Sequence, residues 1–143
     1  MKNKKYEEWE NSIEGIAYNL EVIGDVIIED GPHTSLICQV LQRLPKKTRE
    51  KVLEEVIFIH TTAWGTIHQL HVQEDIKNRV IIIFNFKCIR KDETKMDTIA
   101  HEIGHYILGH ADGGKDLKEE RAADDLAEKW GFGRSYKAYK QFE

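Results

Sequence analysis

Residues 97–110 read DTIAHEIGHYILGH. On a helix, His101 and His105 fall one turn apart on one face, with Glu102 beside them. Two imidazoles at that spacing can both reach one zinc ion about 2 Å away. The adjacent carboxylate is then placed to take a proton from water at the metal. The flanks favour a helix. Thr94 and Asp97 fit a capping-box pattern, Ile99, Ile103, Ile107 and Leu108 supply an apolar stripe, and Gly109 is a C-terminal stop signal. Taken alone, an HExxH pattern also suits an ordinary amphipathic helix.

A second stretch separates these readings. Residues 116–131, DLKEERAADDLAEKWG, form a second helical unit with its own boundaries. Asp116 suits the N-cap with Glu119 completing a capping box, and Gly131 suits the position just past the end. Leu117, Ala123, Leu126, Ala127 and Trp130 make its apolar stripe. Glu120 then lies on the first turn and Asp124 one turn later on the same side. A two-histidine zinc site needs a third protein ligand and an open position, and Glu120 meets the first need. Asp124 is the acceptor that would orient a ligand imidazole through its other nitrogen. Alanines at 122, 123 and 127 are small enough to let the two helices approach each other around a metal.

HEIGH followed by EERAAD about fifteen residues later resembles the gluzincin metallopeptidases, whose HExxH helix precedes a helix carrying Glu-x-x-x-Asp or Glu-x-x-x-Asn. The short spacing is most similar to the compact gluzincins, including the ImmA/IrrE-like peptidases, and the likeness covers roughly residues 79–131. It implies zinc, one ion per chain, on His101, His105 and Glu120, with Glu102 as general base and Asp124 behind the ligands. Asp124 stands where many ImmA/IrrE-like members have Asn, and the Ala-Asp ending is shared with Ste24-like membrane peptidases. The metzincin pattern HExxHxxGxxH fits poorly, because Leu108 and Ala111 occupy its Gly and third His positions. The resemblance further implies a donor for the oxyanion of the tetrahedral intermediate. Tyr106, His110, Tyr136 and Tyr139 qualify by residue type, and the sequence does not choose among them. It also implies that the strand before the HExxH helix pairs with an extended substrate, which places that rim at Ile83, Phe84, Asn85 and Phe86.

Composition narrows the remaining classes. At 143 residues the chain suits one domain with a core that needs no disulfide or structural metal. A net charge of -4 supplies no basic field, so nucleic acid is not an expected partner. The basic residues at Lys2–Lys5 and Lys87–Lys95 read as solvated faces. Cys38 and Cys88 read as two reduced, partly buried thiols of a cytoplasmic protein. No apolar run approaches the roughly 20 residues that span a bilayer. The opening MKNKKYEEWENS has the charge of a signal peptide without its hydrophobic region.

The elements that must hold the motif pair predict an α+β, zincin-like domain. A small sheet of about three strands packs on a support helix, the HExxH helix and the glutamate helix, with extra helices at the N-terminus. Residues 1–33 form the N-terminal helical extension, 34–131 the catalytic core and 132–143 a C-terminal tail. Tyr6, Trp9, Ile13, Ile16 and Leu20 recur at helical spacing and predict one packing helix over residues 4–20. Residues 22–30 suit either a short strand or an extended connection, and Gly31-Pro32 breaks the chain. A helix from Thr34 or Ser35 to Leu44 places Leu36, Ile37, Val40, Leu41 and Leu44 inward. Another over Lys46–Glu55 does so with Val52 and Leu53. Strands are expected at Val56–Thr61, Thr66–Val72 and Arg79–Phe86. The last is apolar on both faces, as in a strand covered on both sides.

The other histidines read as bland. His68 and His71 are three apart and point to opposite faces of a strand, His60 lies nearby, and His33 belongs to a loop. His110 should sit roughly two turns from the metal, complementing the helix dipole. The reading that follows is a zinc metallopeptidase acting on a peptide or protein. The competing one is a metal-binding regulatory or interaction protein with little general proteolysis, acting on a single repressor-like partner.

Overall fold

The computed structural model describes residues 4–19, 22–24, 32–60, 69–72, 79–84, 86, 89–110 and 116–135. Helices and a sheet are both present, so the class is α+β. The order is α1 (Lys4–Glu10), α2 (Ile13–Asn19), β1 (Val22–Gly24), α3 (Pro32–Arg43), α4 (Lys46–Glu55), β2 (Val56–His60), β3 (Gln69–Val72), β4 (Arg79–Phe84), α5 (Asp92–Ile107) and α6 (Leu117–Lys129).

The sheet has four strands in the order β1-β2-β4-β3 rather than about three. The addition is β1, which runs parallel to β2 with Val22 opposite Phe58. β2 and β4 are also parallel, whereas β3 and β4 are antiparallel. β4 is therefore an interior strand. Val80, Ile82 and Phe84, which share one face of the strand, are buried. Its backbone is paired with β2 from Val80 to Phe84 and with β3 from Arg79 to Ile82.

α3 lies behind the HExxH helix. Ile37, Val40 and Leu41 are fully buried, and the helix packs on both α2 and α5. It starts at Pro32, two residues before the expected Thr34, because proline lacks only an N–H that the first helical turn leaves unbonded anyway. His33 thus lies in the helix and not in a loop. α4 follows the expected span, with Val52 buried and Leu53 half-buried.

The N-terminal stretch is two helices, not one. Ser12 caps α2, its Oγ accepting from Gly15 N at 3.1 Å, and this local bond competes with continuing α1. Ile16 reaches the core, but α1 buries nothing, and Tyr6, Trp9 and Tyr18 remain exposed. The corner between α1 and α2 is held from the other side: the buried Arg49 of α4 donates to Asn11 Oδ1, and Gln42 Nε2 donates to the Asn11 carbonyl.

α5 begins at Asp92, earlier than the Thr94/Asp97 capping box implies. Asp92 and Glu93 in its first turn complement the helix dipole. Asp97 serves a tertiary contact instead, accepting from Gly133 N at 2.9 Å just beyond α6. Burial raises the Asp97 pKa, against the pull of this hydrogen bond. α6 keeps its expected cap, with Asp116 Oδ1 accepting from Glu119 N at 2.9 Å. Both helices end in a left-handed glycine, Gly109 (φ 76) and Gly131 (φ 94). Leu108 and Leu117, at the facing ends of α5 and α6, are exposed rather than part of the apolar stripes.

The α5–α6 contact is close because both surfaces are small. Ala123 and Ala127 are fully buried, and a Cβ placed on Gly104 would stand 2.9 Å from the carbonyl oxygen of Ala123 and 3.4 Å from its Cα. Those are backbone atoms and cannot swing aside. Gly104→Ala should therefore cost about 1–3 kcal/mol of overpacking, against the roughly 1 kcal/mol that alanine gains over glycine within a helix. Urea unfolding in the presence of a chelator is expected to show a net loss on the order of 1 kcal/mol. An unchanged or higher midpoint would show that the two helices separate without cost.

Candidate metal centre

His101 and His105 are both buried on the face of α5 that meets α6. Their rings stand nearly perpendicular, 89° apart, with centroids separated by 4.5 Å. His101 Nε2 and His105 Nε2 approach to 3.0 Å. Glu120, reaching across from the first turn of α6, brings Oε2 to 2.8 Å from His101 Nε2 and 3.3 Å from His105 Nε2. Three atoms of ligand type thus form a small triangle. A tetrahedral ion with bonds of about 2.0–2.1 Å holds its ligand atoms about 3.3 Å apart. The observed triangle is that size or slightly smaller, so these residues fit a small divalent cation.

Glu102 stands beside this triangle. One ligand atom each from His101, Glu102 and His105 lie within 4.8 Å of one another, a grouping that can bind a metal ion. Glu102 is half-buried, and burial pushes its carboxyl up to about 7. His101 pulls the other way, while Glu120 and Asp124 add to the rise. A carboxyl that changes charge near neutrality is suited to trading protons there.

The fully buried Asp124 accepts from His101 Nδ1 at 2.7 Å. This bond puts the His101 proton on Nδ1 and leaves Nε2 facing Glu120 and His105. The expected outer acceptor is therefore in place. Burial works against a charge on His101, but hydrogen bonds to Asp124 and then Glu120 outweigh it and raise the pKa to about 9. Burial likewise works to raise Glu120, and the bonds from His101 and His105 overcome it and bring the carboxyl down to about 2.

Other expected site residues are placed differently. Tyr106 turns away from the triangle: its hydroxyl donates to Glu55 Oε2 of α4, and Lys51 lies over its ring. Burial and the Glu55 bond both raise its pKa, and the bond tethers α5 to α4. The substrate rim expected at Ile83–Phe86 begins where the described pairing of β4 with β3 ends. Through Ile82, β4 already has β3 on the side opposite β2, and Phe84 and Phe86 are buried in a ring stack with centroids 5.5 Å apart. Asn85, Tyr136, Tyr139, Cys88 and His68 lie outside the described residues. Cys38 is buried.

His110 is the largest departure. Instead of standing two turns off, it places Nδ1 2.9 Å from His105 Nδ1. The cause is the turn at Gly109. Gly109 N donates to the Tyr106 carbonyl and His110 N to the His105 carbonyl, the two bonds of a Schellman cap. That cap folds the residue after the glycine back over the one four positions before the glycine, here His105. The Gly109-His110 pair in the sequence carried this signal, which counting along a continuing helix misses.

Comparison with family models, with curated proteins and with solved structures finds no match. Among the described residues, no helix is long and apolar enough to cross a membrane.

The pKa of His101 fixes the sign of a pH effect on metal uptake. Below about pH 9 the metal-free site holds a proton on His101 that an incoming cation must displace. Apparent zinc affinity should rise about tenfold per pH unit from pH 6.5 to 8.5 and flatten above 9. Calorimetry in buffers of different ionisation enthalpy should record about one proton released per metal at pH 7.5. Affinity that is flat across that range would show that His101 carries no proton to lose.

Proposed function

We propose that this protein is a zinc-dependent peptidase of the compact gluzincin kind, with a zincin-like arrangement of sheet and helices. The observation that carries the reading is the triangle of His101 Nε2, His105 Nε2 and Glu120 Oε2, with the Glu102 carboxylate at its side. When bound, zinc supplies a Lewis acid that makes a coordinated water acidic near neutrality and polarises a carbonyl.

The remaining steps belong to the chain. His101, His105 and Glu120 would hold the ion. Asp124 keeps the His101 proton on Nδ1, so that Nε2 presents a lone pair. Glu102 accepts a proton from the attacking water on its carboxylate and passes it to the leaving amine nitrogen. A pKa near neutrality lets it do both without a large penalty in either direction. The expected substrate is a peptide or a protein segment.

One observation favours a narrower version, in which proteolysis is confined to a single partner protein. α1 buries none of its residues, and Tyr6, Trp9 and Tyr18 form an exposed aromatic group, with Trp9 5.6 Å from Tyr18 and 6.0 Å from Tyr6 between centroids. Surface aromatics of this kind are common anchors for a protein partner.

Native mass spectrometry of the wild type supplied with zinc should show one ion per chain, lost or greatly weakened in Glu120→Ala. Glu102→Gln should keep the ion and lose at least about 100-fold in kcat/KM, the usual contribution of a general base. Full activity in Glu102→Gln would remove Glu102 from the mechanism. A folded wild type that refuses zinc would make the helix pair purely structural. A zinc-loaded wild type that cleaves no protein in a panel of folded and unfolded substrates would favour the partner-confined reading.

A further inference from the structure

His105 has two ring nitrogens, and only one faces Glu120 and His101. The other meets His110 at 2.9 Å, Nδ1 to Nδ1. At that distance one nitrogen carries the proton and the other accepts it. A neutral imidazole that offers its Nε2 lone pair must hold its proton on Nδ1. His105 is then the donor, His110 Nδ1 the acceptor, and the proton of His110 sits on its own Nε2.

We infer that His110 is a positioning residue for the metal centre, accepting from His105 Nδ1–H and so fixing the tautomer and ring direction of the second imidazole ligand. This rests on the metal-centre reading above. The two imidazoles are then held in parallel ways by unlike groups. His101 has a buried carboxylate from the neighbouring helix, at 2.7 Å. His105 has a second imidazole from its own helix terminus. The backbone makes the arrangement compulsory. The Schellman cap formed by Gly109 N to Tyr106 O and His110 N to His105 O brings residues 110 and 105 side by side whatever their side chains are. Positions paired in this way usually carry two apolar side chains. Two imidazoles within hydrogen-bond distance replace that apolar contact with a directional one.

The test compares zinc affinity, measured by competition with a chromophoric chelator, in the wild type, His110→Ala and His110→Asn. Asparagine can put its Oδ1 where the His110 Nδ1 stands, restoring an acceptor without an imidazole. His110→Ala should bind zinc about 10–100-fold more weakly, the usual effect of losing such an outer partner. His110→Asn should recover most of that loss. Long-range 1H–15N spectra of the zinc-loaded wild type should show His110 with a bare Nδ1 and its proton on Nε2, which a merely space-filling His110 would not require.

Wild-type affinity in His110→Ala overturns the inference while leaving the metal centre intact, as does an equal loss in both variants. If His110→Ala fails to fold, the His110 tautomer and the asparagine variant decide. A wild type that takes up no zinc overturns the metal centre, and the role of His110 with it.

Discussion

Three mutually repelling lone pairs held about 3 Å apart are expensive unless a proton or a cation sits among them, and the packing of α5 on α6 is arranged around that expense. His101 and His105 cannot meet Glu120 unless the helix axes approach closely. The approach is possible because Gly104 faces the backbone of Ala123. Asp124, sealed against α5, then supplies the negative charge that makes a protonated or metal-bound His101 tolerable. The small side chains and the buried charge are therefore one feature seen from two sides. Neither would be stable without the other, since a buried carboxylate lacking its imidazole would be an uncompensated charge.

The rest of the molecule holds α5 in place from behind and at its two ends. α3 packs against its back, Glu55 of α4 takes the hydroxyl of Tyr106, and Asp97 takes the backbone of Gly133 after α6. The last bond joins the start of the first site helix to the end of the second, so the pair is tied at both ends. Phe132, under the guanidinium of Arg43, anchors the same turn to α3. None of these residues needs to touch a ligand to influence the triangle.

What could be read from residues alone follows a physical line. His101, Glu102, His105, Glu120 and Asp124 were legible because their placement depends on helical period and on the Asp116 cap, both local. The inward positions of α3, from Leu36 to Leu44, were legible for the same reason. Long-range decisions were not. The apolar face of β4 announces burial, but its interior position depends on where β2 and β3 dock, which alternation cannot express. Tyr106 looked like a catalytic donor by type, and only the arrival of Glu55 from another helix shows that its hydroxyl is already bound. Ser12 and Gly109 are a different matter. Their roles are local, and a stricter reading of cap chemistry would have split the N-terminal helix and brought His110 to His105.

The short path between the ligands has a kinetic side. His101 and Glu120 are 19 residues apart, and the two helices that carry them are consecutive. The sheet instead joins Val22 to Phe58 and Val56 to Val80 in parallel, pairings that must wait for long loops to close. The helical hairpin can thus assemble before the sheet that later supports it. Its order of formation would make the ligand cluster a nucleus for the remainder of the fold rather than a late addition to a finished scaffold.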